Sequence, residues 1–193
     1  MKVTIEQLKA IAPYAKLSRL SMFVDPLNRA MERFEINTPL RIAAFLAQVV
    51  HESGSFNYTR EIASGEAYDV GRLASDLGNT PENDDDGERL KGRGLIQITG
   101  TKNYLAVGKF FGQDFIKNPK LLEGPEWACM SAAWFWWSRS LNIFADKPDL
   151  VGHTFKGKQY NGFQFLGIRI NGGLNGQKER TENYLRAKKV LGL

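Results

Sequence analysis

Apolar positions recur at helical spacing along most of this chain, and one stretch goes beyond simple amphipathicity. Between Pro39 and Val50 nearly every residue is apolar, so a helix here must bury most of its surface. Asn37 or Thr38 can cap its start, and Pro39 suits the first helical position. Gly54 stops it, with His51 in the last turn. The polar exceptions, Arg41, Gln48 and Glu52, lie seven and then four residues apart and share one face. A buried helix with one polar stripe ending in a carboxylate suggests the wall of a cleft.

The other periodic segments are shorter. Thr4-Ile5-Glu6-Gln7 has the form of a capping box and opens a helix ending near Pro13. Asp25-Pro26 starts another, with Leu27, Ala30, Met31 and Phe34 on one face. Residues 53–94 lose the periodicity; Leu73, Leu77 and Leu90 stand as isolated anchors among Gly, Ser, Asn and Asp. Such a segment is too long for an idle loop and is expected to be functional. Ile96 to Thr99 alternates as a short strand would, which points Gln97 and Thr99 the same way. A helix follows from Asn103 to about Phe111, and a strong one from Pro125 through Leu141. Trp127, Met130, Trp134, Trp137 and Leu141 form the stripe of the latter, and its tryptophans are expected in the core. Residues 145–162 look irregular, with His153 at the surface. Phe163 to Ile170 reads as a helix closed by Asn171-Gly172-Gly173, and Gln177 to Leu191 as the last helix. The pattern predicts a mainly α fold, one domain over residues 1–193, with two lobes around a cleft and at most a small β element.

Composition narrows the function classes. Apolar residues at 42% of 193 suffice for a core. Lys and Arg number 26 against 21 Asp and Glu, so the formal charge of +5 favours a polyanionic partner: nucleic acid, anionic membrane or bacterial wall. No nucleic-acid motif accompanies that charge, so a nucleic-acid partner is not expected. The single Cys129 excludes an internal disulfide and is expected as a buried thiol. The start of the chain lacks a signal-peptide core, and no apolar run reaches membrane-spanning length, so no stable membrane insertion is expected.

Several chemistries fail on pattern. The two histidines, His51 and His153, are not in a paired-ligand spacing, and neither a serine elbow nor a phosphate loop is present. Gly92-Arg93-Gly94 lacks the third glycine of a dinucleotide fingerprint, since Gln97 stands there. Asn83-Asp84-Asp85-Asp86-Gly87 tempts a calcium reading, but aligning Gly87 with the loop glycine of a calcium hand puts Arg93 where the bidentate Glu belongs. A solvated acidic turn is expected there, with no metal and no cofactor. What remains is a carboxylate pair. Glu52 ends its helix behind an apolar run and at the negative end of the helix dipole, conditions that favour the protonated form a general acid needs. Glu61, nine residues on in a more polar stretch, is the matching base for glycoside hydrolysis, and Glu66 competes with it.

These residues stand in segments that resemble glycoside hydrolase family 19. They are Ala44-Phe45-Leu46-Ala47-Gln48, His51-Glu52-Ser53-Gly54-Ser55-Phe56, Gly92-Arg93-Gly94-Leu95-Ile96-Gln97-Ile98-Thr99, Asn103-Tyr104 and Ile170-Asn171-Gly172-Gly173. Glu61-Ile62-Ala63-Ser64-Gly65-Glu66-Ala67-Tyr68 and Asp76-Leu77-Gly78-Asn79-Thr80 are similar to its short bacteriophage endolysin branch. The resemblance covers most of the chain from about residue 25. It implies a lysozyme-like helical fold and an inverting mechanism, with Glu52 as general acid, Glu61 as general base and Thr99 helping to hold the attacking water. His51, Gln97, Asn103, Tyr104 and Asn171 would line the sugar sites. Arg180 matches a family arginine that holds the acidic network and is grouped with them. The implied activity is hydrolysis of peptidoglycan strands by a monomer, held in the host cytoplasm until a holin-type protein permeabilises the membrane. Chitin is the alternative substrate, and a wall-binding protein without catalysis is the alternative class.

Overall fold

The computed structural model describes residues 1–80, 82 and 84–193, so Pro81 and the Asn83 of the acidic run lie outside the described residues. The described chain is mainly helical with one two-stranded antiparallel sheet, and none of its helices is long and apolar enough to cross a membrane. It divides into two compact units: Met1–Asn57 with Ala133–Leu193, and Tyr58–Ala132.

The first unit is organised around α3 (Pro39–Glu52). Thr38 caps it by accepting the Arg41 N–H at 3.2 Å, and Pro39 occupies its first turn, as the sequence predicts. All nine residues from Ile42 to Val50 are buried. At about 1.5–3 kcal/mol for each large apolar side chain buried, this helix is the main anchor of the unit. It packs along the last helix, Gln177–Val190. Phe45 meets Trp136 edge to face at 5.3 Å, and Trp136 Nε1 donates to Asn142 Oδ1 at 2.8 Å. α1 (Ile5–Ile11) opens on the expected capping box.

Three expectations in this unit are corrected. The second helix, α2 (Leu17–Arg33), begins well before Asp25 and carries Pro26 inside it. Pro26 lacks the N–H that would reach the Met22 carbonyl, and Met22 lies on the exposed side, where water can replace that donor. In the long helix Pro125–Ser138, Met130 and Trp134 are buried as expected, but fully buried Trp136 joins them and Trp137 is 47% exposed, because this helix is apolar on every face and has no single stripe to read. Residues 151–161 form a hairpin, β1 (Val151–Phe155) and β2 (Lys158–Asn161). His153 on β1 is half-buried, stacked on Phe165 at 5.1 Å with Phe144 edge-on at 5.0 Å. Helix Gly162–Asn171 ends at a left-handed Gly172, as predicted.

The second unit contains the stretch whose periodicity fades. It holds a 3-10 turn (Glu66–Tyr68), then α4 (Gly71–Leu77) and α5 (Asp86–Arg89), followed by α6 (Thr101–Phe111). Leu90 is a buried anchor as expected, whereas Leu73 is exposed. The strand expected over Ile96–Thr99 is absent from the described residues. Arg93 and Ile98 exchange both backbone hydrogen bonds, at 3.0 and 2.8 Å, around a tight turn. Leu95, Ile96 and Ile98 are all buried, so the alternation reflects a turn folded onto a core. Trp127 lies 5.3 Å from both Phe111 and Phe115. Cys129 is buried and forms no disulfide.

Candidate active site

In the first unit, the polar stripe of α3 resolves into two parts. Arg41 forms a bidentate pair with Asp146, both contacts at 2.7 Å, apart from Glu52. Gln48 and Glu52, one helical turn apart, both receive the Arg180 guanidinium: Nη1 donates to Gln48 Oε1 and Nη2 to Glu52 Oε1. Arg180 Nε also donates to the Asn175 carbonyl at 3.3 Å. Arg180 is 1% exposed, and a charge so buried persists only when it is paired. The Glu52 and Gln48 side-chain oxygens accept from it, and 21% of the Glu52 side chain stays accessible. The expectation of apolar surroundings for Glu52 is therefore corrected: a guanidinium faces it.

Arg180 stands where the resemblance implies, behind the acidic group, and Asn171, expected at a sugar site, bonds nearby backbone. Arg180 is enclosed behind Glu52 and Gln48, so it positions the carboxylate and cannot touch a sugar. Asn171 closes the turn after its helix, donating to the Asn175 carbonyl at 2.8 Å and accepting from the Gly173 N–H at 2.8 Å. The same Asn175 carbonyl receives Arg180, which links Asn171 to Arg180 through one backbone oxygen. His51 Nδ1 lies 2.8 Å from Glu179 Oε2 and the side chain is 20% exposed.

In the second unit, Glu61 is held by neutral donors. Tyr68 Oη donates to Oε1 at 2.8 Å and the Gly92 N–H to Oε2 at 3.0 Å. The Glu61 N–H returns a bond to the Gly92 carbonyl at 2.8 Å. Burial, and then the hydrogen bond to Glu61, push the Tyr68 phenol up to about 12, so it remains a donor. Gly92 packs closely on Gln97: a β-carbon there would lie 3.0 Å from the Gln97 Cβ, so that side chain would have to shift. Glu66 is exposed on the 3-10 turn, without the two-donor cradle that Glu61 has. Gln97 and Thr99 are both partly exposed, and the Thr99 carbonyl accepts from Asn103 Nδ2 at 2.7 Å. Tyr104 is corrected as a sugar-lining residue. It is fully buried, donates to the Lys91 carbonyl at 2.8 Å and accepts from Arg93 Nη1 at 3.0 Å.

The first unit thus brings together His51, Glu52, Asn171 and Arg180, and the second Glu61, Gln97, Thr99, Asn103 and Tyr104. Sequence reasoning missed the part of Tyr68 and of the Gly92 N–H. Tyr68 was visible only as a member of the segment starting at Glu61, and a backbone donor leaves no residue-type signal.

Comparison with known proteins places this fold. The family model for glycoside hydrolase family 19, described as chitinase class I, matches residues 35–184, and the chain belongs to that family. An endochitinase of Arabidopsis thaliana is 38% identical over 159 residues, which cover 79% of this chain and 48% of that protein. The chain thus spans about half the length of that plant relative. A glycosyl hydrolase family 19 domain-containing protein of Haemophilus influenzae is 31% identical over 168 residues, 74% of this chain and 76% of that protein. The crystal structure of chitinase C from Streptomyces griseus superposes with a TM-score of 0.71 at 23% identity, covering 98% of this chain and 76% of that one. The lysozyme-like helical fold expected from the sequence is the fold observed.

Proposed function

We propose that this chain is a glycoside hydrolase that cleaves the glycan strands of bacterial peptidoglycan by an inverting, two-carboxylate reaction. The observation that carries the reading is the holding of Glu52: a family 19 chain presents a partly accessible carboxylate fixed from behind by a buried arginine. Glu52 gives its proton to the glycosidic oxygen as the bond to the anomeric carbon breaks. Arg180, bound to Oε1, stabilises the carboxylate that remains, which leaves Oε2 as the oxygen that delivers the proton. Water attacks the opposite face of the sugar, and Glu61 accepts its proton while Tyr68 and the Gly92 N–H hold that carboxylate still. Thr99 helps to hold the water. One proton leaves Glu52 and one reaches Glu61, and the anomeric configuration inverts.

The net charge of +5 favours an anionic envelope polymer over neutral chitin. Chitin is the second reading, favoured by the endochitinase names of the plant relatives. The biological role that fits peptidoglycan cleavage is lysis at the end of a phage cycle, by a monomer that a holin-type pore admits to the wall. Turbidity loss of permeabilised bacteria, compared with release of soluble oligomers from chitin, separates the two substrates. Proton NMR of the first product formed reads the anomer. Inversion with peptidoglycan cleavage is expected; retention of configuration, or inactivity on both polymers, overturns the proposal.

A further inference from the structure

We propose that Asp69, Asp84 and Asp86 form a binding site for a divalent cation of the oxygen-preferring class, calcium by size. The site arises where two distant segments meet in the second unit. Asp69 follows the 3-10 turn, and Asp86 is the first residue of α5. A β-carbon at Gly87 would lie 2.7 Å from the Asp69 nitrogen, so only glycine permits this approach. The Gly87 N–H donates to Asp69 Oδ1 at 2.6 Å, and the Thr80 N–H to Asp86 Oδ2 at 2.9 Å. The Thr80 hydroxyl donates to Asp84 Oδ2 at 2.9 Å.

One oxygen from each carboxylate can be chosen so that all three lie within 4.8 Å of one another. Asp69 is 2% exposed and Asp86 5%, so the expectation of a solvated acidic turn is corrected at Asp86. Independently, Asp86 Oδ1 is buried and has no hydrogen-bond partner among the described residues. A buried carboxylate oxygen without a donor is costly, and a second buried carboxylate beside it adds repulsion. No Lys or Arg pairs with any of the three among the described residues. The cluster therefore calls for a positive charge.

The donor set is oxygen alone, which suits calcium or magnesium and not a metal that prefers nitrogen or sulfur. Calcium–oxygen contacts of about 2.3–2.6 Å let one ion join oxygens up to about 5 Å apart, whereas magnesium reaches about 4 Å and demands octahedral order. The calcium-hand pattern fails here because it is a rule for contiguous sequence, while Asp69 comes from another segment. An ion at this place pins the chain next to Tyr68, the donor to Glu61.

The test uses the full chain after chelation and dialysis. Calcium chloride is titrated by calorimetry and thermal melting, with magnesium chloride in parallel. One calcium per chain is expected, with a dissociation constant below about 1 mM and a higher melting temperature. Magnesium is expected to bind at least tenfold more weakly. Asp86→Asn and the exposed-site variant Asp84→Asn should each weaken calcium at least tenfold. Asp86→Asn should melt no lower than the chelated parent, because it removes repulsion. No saturable calcium response, or an unchanged response in both variants, overturns the site. So does a melting temperature that rises on acidification but ignores calcium, since the pair then shares a proton. None of these readings uses hydrolysis, so the site can fail while the proposed activity stands.

Discussion

Glu52 in the first unit is held by a guanidinium, and Glu61 in the second by a phenol hydroxyl and a backbone N–H. The two arrangements differ in what their loss would leave behind. Removing Arg180 would strip a charged partner from a carboxylate and a buried amide, whereas removing the Tyr68 hydroxyl would leave Glu61 with its Gly92 donor. A charge held by a charge gives firm placement but makes the surrounding core depend on the pair. A charge held by neutral dipoles is fixed more weakly and tolerates the loss of one contact. A proton donor that must release cleanly gains from the first arrangement, and a base that must accept a proton gains from the second.

The largest expected effect is on Glu52→Gln. It keeps the shape and an acceptor for Arg180 but has no acidic proton, so peptidoglycan lysis should fall roughly 100- to 10,000-fold with the far-UV spectrum unchanged. Full activity in that folded variant would remove Glu52 from the acid's role. Next comes Arg180→Leu, expected to cost about 3–5 kcal/mol in urea unfolding, because Glu52 and Gln48 lose their shared partner. Arg180→Lys should fall between that variant and the parent, since a single ammonium cannot reproduce the fork that reaches both side chains. Tyr68→Phe should cost about 1 kcal/mol and only a few-fold in activity. Were it as damaging as Arg180→Leu, the contrast between the two carboxylates would not hold.

The smallest effect is alkaline. Tyr68 and Tyr104 in the second unit and Tyr184 in the first are each pushed up to about 12, burial being the main cause. A phenol whose folded value lies above its unfolded one near 10 binds its proton more tightly when folded. That stability is complete below about pH 10 and is lost as pH rises toward about 12. Melting temperature should therefore decline across that window. Tyr104→Phe should flatten the decline more than a change at exposed Tyr14.

Much of the fold was legible because its signals are local. The Thr4 and Thr38 caps, Pro39 and the αL glycine after Asn171 act within a few residues of themselves, and each helix end they predict is present. The readings that failed needed partners far along the chain. Pro26 looked like a helix start because its cost is offset only by the packing of the whole of α2. Ile96 and Ile98 looked like a strand because alternation does not distinguish a strand from a turn with buried corners. Tyr104 and Asn171 carried polar groups fit for sugars, but those groups bond the protein's own backbone.

By itself, the sequence determined the apolar helix that places Glu52 at its end, the helical class of the chain and its family, because caps, periodicity and motif order are properties of neighbouring residues. Only the tertiary structure decided what Glu52 faces, since Arg180 lies on another helix far along the chain. It likewise decided that Asp69 joins Asp84 and Asp86, and that Tyr68 donates to Glu61. A charge or a hydrogen bond is satisfied by whatever lies within about 3 Å, and distance along the chain does not report that separation.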